Sequence, residues 1–157
     1  MKEIKIIPVL EKDLKELAKI YTSTYSNFDI GERWTEETSY KMLKYWFDRQ
    51  PDLFFLAKCV EKVVGAFTVG VKPWWDGNHL VDGEIFVNPD CQKKGVGKEL
   101  LRFVSEYAKK KYNVVQFDSY TVRDKYPLKW YKSIGFKEIK EWVLISIKVE
   151  KLLENLK

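Results

Sequence analysis

The chain has 157 residues, 45% apolar and 15% aromatic, with 28 basic and 23 acidic residues that give a net charge of +5. That length buries one core, that composition excludes disorder, and the modest, interspersed charge does not by itself choose a partner. No apolar run reaches the ~20 residues that cross a bilayer, and the charge-studded N-terminus lacks the apolar core of a signal peptide, so the expectation is one cytoplasmic domain over residues 1–157 with no membrane partner.

Residues 3–9, EIKIIPV, read as a first strand. Leu10, Leu14, Leu17, Tyr21 and Tyr25 then recur at helical spacing, which predicts an amphipathic helix near 11–25. After a loop, Thr35 is placed to cap a second helix, with Glu36 and Glu37 in its positive first turn, Tyr40, Leu43, Trp46 and Phe47 on its buried face, and Pro51 closing it. LFFLAKCV (53–60) and VVGAFTVGV (63–71) read as a hairpin of buried strands, KPWWDGNH as a loop, and Leu80–Val87 as the next strand. A helix follows to about Lys111, then a strand over 114–121, a short helix at PLKWYKSI, a final strand near 139–149 and a short terminal helix. Three consecutive strands favour antiparallel pairing, and the β-α-β unit after them favours a parallel pair. The fold class is α/β (α+β): a mixed sheet with helices on its faces.

Cys59 and Cys91 lie far apart and outside any CxxC pair, and His79 is the only histidine. They read as free thiols, and the chain offers no recognisable zinc ligand set. Lys109-Lys110-Lys111 ends a helix, where cations are favoured in any case, so no nucleic-acid partner is expected.

The stretch VNPDCQKKGVGKELL (87–101) asks for more than a turn. The first N–H groups of a helix lack partners within it and attract anions; glycine lets an anion approach the backbone; Lys93, Lys94 and Lys98 add charge. The phosphate-loop pattern GxxxxGK[ST] is absent. The dinucleotide pattern fails because Leu100 stands where its last glycine would be.

Gln92-Lys93-Lys94-Gly95-Val96-Gly97 resembles the Q/R-x-x-G-x-G/A signature of the GNAT superfamily of acyl-CoA-dependent N-acyltransferases. Ile85-Phe86-Val87-Asn88-Pro89-Asp90 looks like the strand and turn that lead into it, and Trp130-Tyr131-Lys132-Ser133-Ile134-Gly135-Phe136 is similar to the family's F-Y-x-x-x-G-F segment. The resemblance spans essentially the whole chain. It implies a six- to seven-stranded, mostly antiparallel sheet and transfer of an acetyl group from acetyl-CoA to a primary amine, by direct attack through a tetrahedral intermediate, with coenzyme A as product.

Carried over residue by residue, backbone N–H groups from Lys93 through Lys98 would hold the pyrophosphate, and Ile85, Phe86 and Val87 the pantetheine arm, with an N–H near Val87 facing the thioester oxygen. Tyr131 matches the tyrosine that protonates the leaving thiolate. Glu84 is a candidate base, beside Asp82 on the same strand (sharing its face if the strand is regular) and Asp118 on the next; water serves in some members. The chain departs from the pattern at Asp124 and Pro127, where many members have asparagine and alanine, which puts the usual asparagine contact to the coenzyme in doubt.

The resemblance assigns acceptor choice to residues 25–34 and 72–80. Phe28, Asp29, Glu32, Trp34, Trp74, Trp75, Asp76 and His79 there combine rings with carboxylates, which suits a cationic small-molecule amine. A peptide N-terminal amine is the competing acceptor, and a non-catalytic acyl-CoA sensor the competing class. The final strand leaves room for a homodimer.

Overall fold

The structure, a computed structural model, describes residues 3–26 and 31–157. Phe28 and Asp29 therefore lie outside the described residues. The chain divides into two compact units, Met1–Tyr120 and Thr121–Lys157.

In the first unit, alternating apolar residues make a sheet that is buried on both sides. The strands are β1 (Ile4–Pro8), β2 (Phe54–Cys59), β3 (Lys62–Trp74), β4 (Gly77–Val87) and β5 (Val114–Phe117), in that spatial order. The first three pairings are antiparallel and β4–β5 is parallel, as the order of elements predicts. Successive residues of β2 serve opposite layers. Phe54 and Leu56 join Leu14, Leu17, Tyr21 and Leu43 of helices α1 (Leu14–Tyr25) and α2 (Glu36–Arg49). Phe55 and Ala57 join Leu100, Val104 and Ala108 of helix α3 (Val96–Tyr112). Full burial of a side chain such as Leu17 or Leu100 stabilises by about 2 kcal/mol, so the two layers hold the sheet between them. Thr35 caps α2, accepting the Thr38 N–H at 3.2 Å.

Helices on both faces and the mixed sheet match the expected class, but the sheet has five strands rather than six or seven. The final strand expected near 139–149 is not formed: residues 142–148 carry no regular secondary structure, and α5 begins at Val149. The expected loop at KPWWDGNH is instead the end of a long hairpin: Lys72, Pro73 and Trp74 pair with His79, Asn78 and Gly77. Proline is tolerated there because β2 pairs with β3 only as far as Thr68, leaving the far end of β3 without a neighbour on that side.

Two irregularities matter. β5 pairs with β4 only over Asn78–Leu80, so Val81–Val87 has no strand on that side among the described residues. And the register of β3 against β4 slips between Thr68↔Glu84 and Gly70↔Val81, which leaves one extra residue in β4, with Asp82 in a left-handed conformation (φ 54°).

The second unit contains helices α4 (Tyr126–Ser133), with Pro127 in its first turn, and α5 (Val149–Asn155). Gly135 (φ 101°) ends α4 and lets Phe136 N–H reach the Tyr131 carbonyl at 3.1 Å. Arg123 and Lys132 both pair with Glu138.

Candidate active site

The extra residue in β4 decides which way the strand's far half faces. Leu80 points into the α3 layer, and so do Ile85 and Val87, although a regular strand would send odd and even residues to opposite sides. The bulge reverses the parity. Phe86 joins the α1 layer, and Glu84 with it, directly opposite Thr68. A Cβ on Gly83 would lie 2.9 Å from both Phe67 and Phe117, so glycine is what fits the bulge beneath the α3 layer. Asp82, exposed and left-handed, does not share the face of Glu84; the expectation of a shared face fails because the strand is not regular.

On the α1 side, Tyr21 and Tyr25 stand one helical turn apart and both donate to the same oxygen of Glu84, at 3.3 and 3.2 Å to Oε2. Tyr21 is buried, edge-on to Trp34 and to Phe86, each at a centroid distance of 5.1 Å. The Trp34 indole N–H donates to Glu32 at 2.8 Å. Burial raises the Glu84 pKa to about 7; the two tyrosine hydrogen bonds pull it down, and the charges of Glu32 and Asp82 push it further up. Burial and the charge of Glu84 also raise the phenol of Tyr21, and Tyr120 is raised by burial and then by Glu84, Asp82 and Glu32. Thr68, fully buried opposite Glu84, has a hydroxyl with no hydrogen-bond partner among the described residues.

At its end, β4 runs through Asn88-Pro89 into the glycine loop. The Val87 carbonyl accepts from Thr24 Oγ1 at 3.2 Å and from Gln92 Nε2 at 3.1 Å, which ties the loop to α1. Gly95 is the left-handed N-cap of α3 (φ 87°), and a Cβ added there would meet nothing within 4 Å. The first α-helical bond is Glu99 N–H to Gly95 O, so the N–H groups of Val96, Gly97 and Lys98 have no partner within the helix. Val96 is buried under the sheet while Lys93, Lys94 and Lys98 are exposed, and Lys94 reaches back to the Asp90 carbonyl at 2.7 Å. The arrangement fits an anionic phosphate group: unpaired donors, open space above glycine, and positive charge on the rim.

The family model for the acetyltransferase (GNAT) family matches residues 14–136. The chain belongs to the GNAT family of acetyltransferases. It is 28% identical over 143 residues to an uncharacterized N-acetyltransferase of Methanocaldococcus jannaschii, a match covering 86% of this chain but 62% of that protein, so the chain spans less than two thirds of its relative's length. A protein of known structure from Pyrococcus horikoshii OT3 is similar at TM-score 0.71 and 26% identity, over 87% of this chain and 90% of that one. An aminoglycoside N-acetyltransferase crystallised with CoA is similar at TM-score 0.69 and 18% identity, over 94% and 95%, which is a likeness of fold.

Within this GNAT chain, Glu84 and Trp34 come together, and Ile85, Phe86 and Val87 lead from them to the glycine loop. Trp74 and Trp75 do not join that group. Trp75 turns the β3–β4 hairpin, at the opposite end of β4 and roughly 20–25 Å along the strand from Glu84. Trp74 lies under the Lys72 ammonium, 4.4 Å from the ring centroid. Asp118 is engaged elsewhere too: one oxygen holds His79 Nδ1 at 2.5 Å and the other accepts from Gln116 at 2.9 Å. Tyr131 and Asp124 belong to the second unit, where the Tyr131 ring packs between Trp130 and Phe136 at 5.0 Å from each and Asp124 is exposed with φ 60°. Sequence reasoning did not single out Tyr21 and Tyr25, which the structure brings to Glu84. Tyrosine in place of leucine at two successive turns of one helical face was the available signal, since a buried phenol seeks a partner. Among the described residues no cluster of His, Cys, Asp and Glu could hold a metal ion, and no helix is long and apolar enough to cross a membrane.

Proposed function

We propose that the protein transfers an acetyl group from acetyl-CoA to a primary amine of a small cationic molecule, with Glu84 as the base. The observation that carries this reading is the Glu84 carboxyl, held at one oxygen by Tyr21 and Tyr25 and raised to about 7 by burial. An ammonium cannot attack a thioester. A carboxylate whose proton affinity lies near neutrality takes the proton efficiently at working pH, and fixing Oε2 leaves Oε1 to receive it. Trp34 and Glu32 offer a ring face and a second negative charge to a cationic acceptor.

The coenzyme's part is to supply an activated acetyl group. Lys93, Lys94, Gly95, Val96, Gly97 and Lys98 would bind its pyrophosphate through loop N–H groups and ammonium charge. The open edge of β4 at Ile85–Val87 would take its extended arm like an added strand. Gln92 acts through its brace on Val87 rather than by direct contact. Glu84 would take the proton that keeps the acceptor amine from attacking, and Tyr131 is kept as the residue that the family resemblance makes the proton donor to the leaving thiolate. Asp124 is kept as a coenzyme contact only through its acceptor oxygens.

Thermal melts with acetyl-CoA, against ATP as control, test the binding half. Ligand at 100 times its dissociation constant stabilises by roughly 2.7 kcal/mol. Gly95→Ala places a methyl group in the open space above the loop and costs about 1–2 kcal/mol for its left-handed backbone. The expected result is a clear acetyl-CoA shift for the wild type and a lost or much reduced one for Gly95→Ala. No shift with millimolar acetyl-CoA in the wild type would end the reading. Thiol release over a set of polyamines, aminoglycosides and peptide N-termini then selects the acceptor.

A further inference from the structure

The surroundings of Glu84 carry more negative charge than one ammonium can answer. Tyr21 links the parts: its phenol donates to Glu84 at 3.3 Å, and its ring lies edge-on to Trp34 at 5.1 Å, whose indole N–H holds Glu32 Oε2 at 2.8 Å. Asp82 stands two residues from Glu84 along β4, about 7 Å at ordinary strand rise, and Tyr120 follows the end of β5 with its ring exposed. The charges of Glu32 and Asp82 reach both Glu84 and Tyr120, so the four groups share one neighbourhood. The chain has 28 basic residues and a net charge of +5. Yet no lysine, arginine or histidine of the described residues forms an ion pair with Glu32, Asp82 or Glu84, whereas Asp52, Asp118 and Glu138 each hold a cationic partner. Opposite Glu84, on its own face of the sheet, the fully buried Thr68 hydroxyl also lacks a hydrogen-bond partner among the described residues. Buried polar groups and clustered like charges left open in this way are matched by what binds there.

We infer that the acceptor is a diamine on a short alkyl spacer, whose second ammonium is held by Glu32 and Asp82, beside the Trp34 and Tyr120 rings, while its first amine reacts at Glu84. The inference rests on the reading of Glu84 as the base of acetyl transfer. An amine bound at Glu84 hands over its proton before it can react, which leaves the amine and the carboxyl both neutral. A monoamine then sets nothing positive against Glu32 and Asp82. A second ammonium keeps its charge throughout, because an alkylamine holds its proton to about pH 10. Two carboxylates and two ring faces attract it, each modestly at a partly exposed site. The same charges repel an acceptor that carries a carboxylate close to its amine.

Calorimetric titration of the full chain reads this subsite without turnover. At about pH 8 Glu84 is ionised and alkylamines are still protonated. Butane-1,4-diamine should then bind about 10-fold more tightly than n-butylamine, the sum of several modest attractions. Glu32→Gln should remove most of that preference and Asp82→Asn a smaller part, both with unchanged circular dichroism spectra because both side chains are exposed. The preference should also shrink toward 1 M salt, where the Debye length falls to about 3 Å. In thiol-release assays the ratio of kcat/KM for the two amines should follow the binding preference, since any change at Glu84 acts on both amines alike. Equal affinity for the two amines, or a preference that both variants retain, would overturn the inference. A binding preference that is lost in Glu32→Gln, with no thiol release from acetyl-CoA, would leave the second-ammonium subsite standing and end the acetyl-transfer reading instead.

Discussion

Glu84 and His79 stand five residues apart on β4, on either side of the bulge, and both hold protons more tightly than their ordinary values allow. The causes are opposite. Burial disfavours the Glu84 carboxylate, and only two phenol donors partly offset that cost. Burial also works against the His79 imidazolium, but hydrogen bonds from both ring nitrogens to Asp118 and Asp76, and the charges of those residues, more than compensate. At Glu84 the charged form is strained and ready to be relieved by a proton. At His79 the charged form is satisfied, and it fastens the hairpin turn to the end of β5. The first suits the proposed base and the second suits a structural fastening, which is why a buried, shifted histidine is no better a catalytic candidate here than the carboxylates that hold it.

Five substitutions would break or sharpen that contrast. Glu84→Gln keeps both tyrosine hydrogen bonds and removes the proposed base. The acetyl-transfer rate at pH 7 should fall by about 10²–10⁴-fold, and the acidic limb of the wild-type pH–rate profile, with its midpoint near 7, should disappear. The same variant tests the strain. A carboxyl whose folded pKa lies above its unfolded value stabilises fully below about 4.5 and loses that stability as pH rises through about 7. Glutamine loses nothing over that window, so Glu84→Gln should be more stable than the wild type at pH 8, by up to about 3 kcal/mol, and not at pH 4. Equal melting temperatures at pH 8 would mean that Glu84 is not strained.

Tyr21→Phe and Tyr25→Phe each remove one donor to the carboxylate. The rate at pH 6 should drop roughly 10-fold and recover toward pH 9, because losing a hydrogen bond to the charged form raises the pKa of the base rather than abolishing it. A pH-independent loss would instead make the tyrosines merely structural. His79→Gln should leave the rate unchanged and cost about 1–2 kcal/mol at pH 6, allowing for partly exposed carboxylates. His79 contributes fully below its unfolded pKa near 6.5 and less as pH rises through its raised folded value, so the gap between variant and wild type in thermal melts should narrow at high pH. The smallest effect is expected at Thr68. Thr68→Val exchanges an unpaired buried hydroxyl for a methyl group and should change stability by about 1 kcal/mol or less, in the favourable direction. A slower enzyme of unchanged stability would show that the hydroxyl serves Glu84.

Much of this was legible in the sequence because it rests on local pattern. Helical spacing from Leu14 to Tyr25, the Thr35 cap and the QKKGVG loop each report on a few neighbouring residues, and each element stands close to where the pattern put it. What escaped was non-local. The pairing of Trp74 with Gly77 extends a hairpin through residues whose glycine, proline and aspartate suggest a loop, and it carries both tryptophans away from Glu84. The strand expected at 139–149 has the right side chains, but a strand is a relation between two segments, and side-chain pattern reports only one of them. The meeting of Tyr21 and Tyr25 with Glu84, about sixty residues later, depends on a bulge that periodicity alone does not announce.

That bulge makes the spacing between Leu80 and Glu84 as consequential as any side chain. Deleting Asp82 or Gly83 would remove one small residue from a tolerant-looking stretch and yet exchange the two faces of everything downstream. Glu84 would turn into the oily layer under α3, and Ile85 would meet the tyrosines. Asp82 itself, exposed, should accept glycine or asparagine in its left-handed backbone with little effect on the fold, while the loss of its charge lets the Glu84 pKa fall somewhat. Here the chain can absorb spelling changes far better than a lost letter.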